Sequence, residues 1–498
     1  MQKLITQGNK EILFIIPPSR FSTHRYNLAY LYLSSYLLSK GFDNSIIEPH
    51  KLLDKKYKYH DINKANLKII LSNFAKLIKR SSPKVVCFNA FTHEFMEIAN
   101  LIKIVKENSS AKIIVGGYHS TAMPSEFLDY GADFSVFGEG EITQYELVKA
   151  IYNNESDFSK INGLGWIKNS KKIINSLRVP TANLDDFPSP AYNKIDMERY
   201  LSIWDGTVRG FPLRACDMYT TRGCPYNCSF CGCNAVFGRK LRYRSEQRIE
   251  EEVKLLKNKY GVEAIMFVDD TLTVNKNHLK VICRIMKKHK MIWDCQARVN
   301  TIDSEMLELM TKSGCVQLCF GVESGSQRVL DNIINKGIKV GDTKRAFQLC
   351  KEHGIHPMAN FMIGLPTETK AEMEQTFNLA KEINASYYFY SVVCPLPGTK
   401  LYTMAGINIP PEQYYKLNWE NPQIEEFNRS EVKDVFELRN KYYQELNKTM
   451  FRNAFLDFPN YFSIWWKLPR KMRRINYVVR KLYNYFIFKR FTGKSLRL

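Results

Sequence analysis

No apolar run in this chain is long enough to cross a membrane. Its first hydrophobic stretch, Ile12-Leu-Phe-Ile-Ile16, is stopped by Pro17-Pro18, whereas a spanning helix needs about 20 apolar residues. The same stretch is too short for a signal peptide. There is no repeat of fixed period and no long low-complexity tract. Disulfide-scaffold density is also missing: 12 Cys in 498 residues are too few for a secreted disulfide framework. Their grouping favours a reduced cytoplasm and an oxygen-sensitive metal site. Acidic residues are absent from one place. None follows Asp457, while Lys467 to Leu498 holds 11 Lys and Arg, half of the net charge of +22.

The segment Cys224-Pro-Tyr-Asn-Cys228-Ser-Phe-Cys231 sets three thiols at spacings of four and three residues, in a loop with Gly223 and Pro225. A loop this short can curl three thiolates around one iron–sulfur cube. Such clusters are normally held by four cysteines, so three leave one iron open to a ligand. Thiolates also suit zinc, with Cys233 of Cys231-Gly-Cys233 as the fourth ligand. The spacing, with Phe230 just before the last Cys, resembles the signature of the radical S-adenosylmethionine (SAM) superfamily. The resemblance implies a 4Fe–4S cluster on Cys224, Cys228 and Cys231, whose open iron chelates the amino and carboxylate groups of SAM. It implies reductive cleavage to a 5′-deoxyadenosyl radical, the electron coming from a donor such as flavodoxin or ferredoxin.

Residues 1–185 alternate strand and helix patterns. Strands are expected at Glu11–Ile16, Ser45–Ile47, Lys84–Phe88, Lys112–Gly117 and Asp133–Phe137, and helices at Tyr26–Lys40, Asn66–Lys79, Phe95–Lys106 and Thr143–Tyr152. This alternation implies a parallel, doubly wound sheet, whose ligands sit at the carboxyl ends of its strands. Two ends carry glycine turns: Gly116-Gly117-Tyr118-His119-Ser120-Thr121, and Gly138-Glu139-Gly140-Glu141. Paired glycines admit a ligand or simply make tight turns. Their order resembles the cobalamin-binding domain that precedes many radical SAM domains. That implies cobalamin binding through Gly116, Gly117, His119, Thr121, Gly138 and Glu139. The Asp-x-His-x-x-Gly motif, which in some cobalamin proteins supplies the lower cobalt ligand, is absent. A small hairpin around Asn169-Ser170 and a proline-marked linker, Asn183 to Pro190, complete the region.

From residue 186 to 410, six strand–helix units are expected, with strands at Asp217–Thr221, Ala264–Val268, Ile292–Ala297, Val316–Phe320, Pro357–Ile363 and Tyr387–Val393. They fit a partial (β/α)6 barrel, the fold of the family, with chemistry at the strand carboxyl ends. There stand Asp269-Asp270, Arg298 and Glu323, which by the resemblance position SAM or substrate. Each has a structural alternative: the Asp pair can cap a helix, and Arg298 and Glu323 can form ion pairs. Gly364-Leu-Pro-Thr-Glu368 and Pro395-Leu-Pro-Gly-Thr399 resemble turns common in this branch.

Residues 411–498 are expected to form a helical region ending in a basic tail. There Lys and Arg interleave with Trp465, Trp466, Tyr477, Tyr483, Tyr485, Phe486, Phe488 and Phe491. Such a segment suits an anionic membrane surface through residues 461–498. Helices docked on the barrel with a solvated basic face are the structural alternative. Nucleic acid is disfavoured for want of a recognisable module. The expected protein is an α/β radical SAM enzyme, cytoplasmic and peripheral on the inner membrane face. It would methylate an unactivated carbon of a hydrophobic or lipid-like small molecule with cobalamin. The alternatives are cyclisation, ring contraction or oxidation without methyl transfer, or a zinc-stabilised RNA-binding protein.

Overall fold

A computed structural model describes residues 11–18, 26–53, 64–201, 213–418 and 429–456. The chain packs as two compact units, each gathered from three stretches of sequence. The first takes Met1–Met197, Thr221–Arg248 and Cys394–Phe427; the second takes Glu198–Thr220, Ile249–Val393 and Asn428–Leu498.

The first unit is built on a seven-stranded sheet: β1 (Ile12–Ile15), β2 (Asn44–Ile47), β3 (Val85–Asn89), β4 (Lys112–Gly116), β5 (Phe134–Val136), β6 (Leu164–Lys168) and β7 (Lys171–Ile174). The spatial order is β2-β1-β3-β4-β5-β6-β7. The first five strands are parallel. Parallel strands covered on both faces read as unbroken hydrophobic runs, and Ile-Leu-Phe-Ile and Val-Val-Cys-Phe are of this kind. Helices Leu28–Ser39, Lys64–Ser81, Phe95–Asn108 and Gly140–Tyr152 fill the connections. The hairpin β6–β7 turns at Asn169 and Ser170, whose φ values of 50° and 61° suit a two-residue hairpin loop. It extends the sheet as an antiparallel edge. Phe74, Ile78, Phe95, Ile98 and Ile102 form the core, joined by Ala405, Ile407, Ile409 and Leu417 from the third stretch.

The second unit opens with β8 (Ala215–Met218). The chain leaves this strand earlier than the sequence pattern suggests and re-forms as β9 (Thr221–Arg222), which pairs antiparallel with β10 (Arg242–Tyr243) as a ribbon of the first unit. Strands β11 (Ala264–Phe267), β12 (Ile292–Ala297), β13 (Cys315–Glu323), β14 (His356–Ile363) and β15 (Tyr387–Val392) follow. With β8 they make a six-stranded sheet in sequential order, parallel throughout. β13 runs on to Glu323, with a register shift against β14 between Gly321 and Glu323. Helices start where side chains cap them. Asp303 accepts from Met306 N at 2.9 Å, and Thr369 and Glu372 form a reciprocal capping box. The helix Val435–Leu456 stacks Tyr442 on Phe377, with centroids 4.1 Å apart. Residues 457–498, with the basic aromatic tail, lie outside the described residues.

Candidate active site

The three-thiol loop spans β9 to β10 and is closed at its base. Gly223 has φ 93°, and a Cβ there would stand 2.4 Å from the Lys240 carbonyl oxygen. Only glycine lets the two chains approach this closely. Cys224 N donates to Gly238 O at 3.2 Å and Cys231 N to Cys228 O at 3.2 Å. Cys224 and Cys228 are half-buried, Cys231 is exposed, and none of the three is in a disulfide. Cys233 opens the short helix Cys233–Phe237, and its N–H donates to Cys231 Sγ at 3.5 Å. Phe230 is half-buried and the neighbouring Ser229 is buried. Three soft thiolates on one short loop are a donor set that fits an iron–sulfur cube.

Two arginines of the ribbon hold this loop to the Gly138–Glu141 turn. Arg242 donates to both oxygens of Glu139, at 2.9 and 2.6 Å, and Arg222 donates to Glu141 at 2.5 Å. Arg222 also lies 3.7 Å from Glu139, and all four side chains are nearly fully buried. Arg222 sits over the rings of Phe187, Tyr32 and Phe237, at 5.0, 5.2 and 5.6 Å. Burial works against its charge, but the carboxylates of Glu141 and Glu139 more than offset this and raise its pKa. Glu139, predicted to bind cofactor, thus has an ion-pairing place.

The first glycine turn is equally specific. Gly117 has φ 99°, and a Cβ would come within 2.1 Å of Asn89 Oδ1 and 2.8 Å of Ala90 N. Thr121 Oγ1 donates to Gly117 O at 2.9 Å and accepts from Gly138 N at 3.1 Å, tying the two turns together. His119 is fully buried: Nδ1 lies 3.2 Å from Thr92 Oγ1 and Nε2 3.1 Å from Glu126 Oε2. Phe95, Phe127 and Tyr414 surround its ring. Both ring nitrogens are occupied within the fold, so neither is presented to a cobalt. Gly116, Thr121 and Gly138 stay half-exposed at the carboxyl edge of the parallel sheet. That edge is where such sheets take ligands, and it fits a cobalamin held without a histidine beneath it.

In the second unit, Lys336 Nζ lies 2.6 Å from Glu323 Oε1, both side chains 8% exposed. Glu323 has φ 66°, an uncommon backbone state that clusters at functional sites. A Cβ on Gly321 would stand 2.3 Å from Glu323 Oε1 and 2.6 Å from Lys336 Nζ. Arg298 donates to the Lys336 carbonyl oxygen, so the ends of β12 and β13 share one network. No motif marks Lys336 in the sequence. The Asp pair divides: Asp269 is buried, and its Oδ1 accepts from Thr220 N at 2.9 Å and Thr220 Oγ1 at 3.0 Å, while Asp270 is exposed. The helix cap there is Asn275, not either aspartate.

Three cysteines on one short loop are one feature, and six sequential parallel β/α units are the other. These two features define the class, an enzyme of radical SAM chemistry. Residues 218–380 match the model of the Radical SAM superfamily and residues 22–148 that of the B12 binding domain. An uncharacterized methyltransferase of Pyrococcus horikoshii is 32% identical over 78% of this chain and 82% of its own. A cytidylyl-2-hydroxyethylphosphonate methyltransferase of Streptomyces wedmorensis is 26% identical over 89% and 91%. An anaerobic magnesium-protoporphyrin IX monomethyl ester cyclase of Rubrivivax gelatinosus is 26% identical over 76% and 67%. Among solved structures, the radical SAM methyltransferase TsrM of Kitasatospora setae, with cobalamin and a [4Fe-4S] cluster bound, superposes with a TM-score of 0.64. It is 18% identical and covers 81% of this chain and 76% of its own. The chain belongs to the radical SAM superfamily, in the branch that carries a B12-binding domain. Its cofactors are a 4Fe–4S cluster, SAM and cobalamin, which sets aside the zinc-stabilised reading.

Proposed function

We propose that this enzyme transfers a methyl group to an unactivated carbon of a small hydrophobic, lipid-like molecule. One observation carries the reading: the cobalamin-type fold and the three-thiol loop share one compact unit, joined by the buried pairs Glu139–Arg242 and Glu141–Arg222. A clamp between the cobalamin-type fold and the cluster loop suits a reaction that uses both cofactors on one substrate. Bound cobalamin supplies a methyl carrier, and the cluster with SAM supplies a hydrogen-abstracting radical. The protein's part is to hold and orient. Cys224, Cys228 and Cys231 hold the cluster. Glu323 and Lys336 present opposite charges suited to the ammonium and carboxylate of the methionine end of SAM. The names of two relatives support methylation. That of the cyclase supports a second reading, radical-initiated cyclisation without methyl transfer.

The lipid-like substrate rests on residues 461–498, read from sequence alone. Among the described residues no helix is long and apolar enough to cross a membrane. Each basic residue close to an anionic bilayer contributes about 1 kcal/mol, so a fraction of the 11 in Lys467–Leu498 suffices to hold a cytoplasmic enzyme on the inner face. The electron comes from a flavodoxin or ferredoxin. The test incubates the reconstituted full chain with methyl-labelled SAM, reductant and a total lipid extract. Label should enter the chloroform-soluble fraction. S-adenosylhomocysteine and 5′-deoxyadenosine should form in equal amounts, since methyl donation and radical formation each consume one SAM. Deoxyadenosine without S-adenosylhomocysteine would favour cyclisation. Sedimentation with anionic vesicles should be lost on truncation after Asn460; equal sedimentation of both forms would remove the lipid argument.

A further inference from the structure

Three segments far apart in sequence meet behind the cysteine loop, all within the first compact unit. They are the short helix Tyr118–Ala122 after the first glycine turn, the loop around Ser229–Gly232, and the turn Pro395–Thr399. Tyr118 joins them. Its hydroxyl donates to Pro397 O at 2.8 Å. Its ring lies against Gly232, where an added Cβ would come within 2.0 Å of Cε2, 2.6 Å of Cζ and 2.7 Å of the hydroxyl oxygen. Gly398 abuts the same helix, a Cβ there falling 2.9 Å from the Ala122 side chain. Leu401 N donates to Ser229 O at 2.8 Å. Gly232 therefore has a reason other than loop flexibility: it is the socket for an aromatic ring.

We propose that Tyr118 is a positioning residue for the cluster. Its ring, seated on Gly232, fixes the Cys231 end of the loop, whose thiol is itself exposed, and walls the Gly232 side from water. This assigns the tyrosine a role toward the cluster although it sits in the cobalamin-type fold, and it explains why the Pro395–Thr399 turn returns to this place. The reduction potential of an iron–sulfur cluster responds to solvent exposure. Water stabilises the reduced, more negative form, so opening the wall moves the potential upward. It also lets oxygen reach the cluster.

The test uses the full chain with its cluster reconstituted, before cobalamin or SAM is added. The midpoint potential is read by redox titration followed by electron paramagnetic resonance, and cluster bleaching in air is timed by absorbance. Tyr118→Phe keeps the ring and should stay near the parent protein in both. Tyr118→Ala should raise the midpoint and bleach several-fold faster at equal iron content. Gly232→Ala should reproduce this by forcing the ring away. The double variant should bind more cluster than Gly232→Ala alone, because the new methyl fills space the ring has left. If Tyr118→Ala does not fold, Gly232→Ala and Tyr118→Phe decide. Parent-like potential and bleaching in Gly232→Ala, or no rescue in a folded double variant, would overturn the proposal.

Discussion

Arg242 donates to both oxygens of Glu139, at 2.9 and 2.6 Å, across 103 residues of sequence. The planar guanidinium matches the carboxylate in a two-pronged pair, the arrangement for which arginine is best suited. The neighbouring Arg222–Glu141 pair doubles the clasp. Breaking one side of a buried pair leaves a charge without compensation, at about 3–5 kcal/mol. Glu139→Gln and Arg242→Met should each lower the unfolding midpoint markedly and reduce cluster content on reconstitution. Glu139→Gln combined with Arg242→Met should be less damaging than the sum of the two, since no stranded charge remains. Additive losses in that cycle would mean that the pair is not a coupled unit.

The ligand set gives a second prediction. Ala at Cys224, Cys228 or Cys231 should abolish both the 4Fe–4S spectrum and the cleavage of SAM. Cys233→Ala should keep both, because three thiolates already leave the open iron that SAM chelates, and the backbone N–H from residue 233 to Cys231 Sγ is one that alanine retains. Loss of the cluster in Cys233→Ala would move the assignment to four ligands.

The glycine before the Glu323–Lys336 pair gives a third. Gly321→Ala puts a methyl where Glu323 Oε1 and Lys336 Nζ now stand, and Lys336→Met leaves the Glu323 carboxylate buried without its cation. Either change should weaken equilibrium binding of SAM to the cluster-loaded protein by at least about tenfold, equivalent to about 1.4 kcal/mol. Unchanged affinity in Lys336→Met, in a protein of normal melting behaviour, would remove the pair from the SAM site.

Much of the fold is legible in the sequence. Lys84–Phe88 and Tyr387–Val393 announce themselves as β-favouring runs between helical patterns, and the Asn169-Ser170 turn announces its hairpin. The three thiols are legible because their ligand spacing is local. What the pattern does not reveal is partnership at a distance. Gly138-Glu139-Gly140-Glu141 looks like a ligand turn, since nothing local ties it to Arg222 and Arg242. Lys336 follows the short π-helix Val329–Ile333 in a stretch without motif, and only folding carries it to Glu323. Tyr118 stands between residues that attract notice, Gly117 and His119, and its partner Gly232 hides between two cysteines. In each case the function of the residue is set by a tertiary contact, and local pattern is silent on such contacts.

His119 illustrates the same point from the opposite side and yields a fourth prediction. Its type and place suggest a cofactor ligand, yet both nitrogens are engaged by Thr92 and Glu126 inside an aromatic cage. His119→Ala should destabilise the protein by about 2 kcal/mol or more through unsatisfied partners and lost packing. It should leave unchanged the spectrum of bound cobalamin, which should be that of a base-off form without a nitrogen ligand. A spectral change on this substitution, with the fold intact, would put the imidazole on cobalt.

Glu368 gives the last prediction. Its Oε2 accepts from Gly364 N at 2.8 Å and Leu365 N at 3.0 Å, holding the turn after β14. Its Oε1 is buried without a hydrogen-bond partner. Burial pushes this carboxyl from an ordinary 4.5 up to about 8, despite the two backbone amides that favour the anion. A carboxyl whose pKa is higher in the folded state holds its proton more tightly there than in the unfolded chain. Between about 4.5 and about 8 the folded state therefore carries the extra proton, and stability falls as pH rises through that window. The contribution is fully present below it and lost above. Glu368→Gln keeps an acceptor for Gly364 and Leu365 and cannot ionise. Urea unfolding followed from about pH 5 to 9 should show the parent losing stability towards the alkaline end relative to the Gln variant. Parallel curves would mean that Glu368 is already ionised in the folded protein at neutral pH.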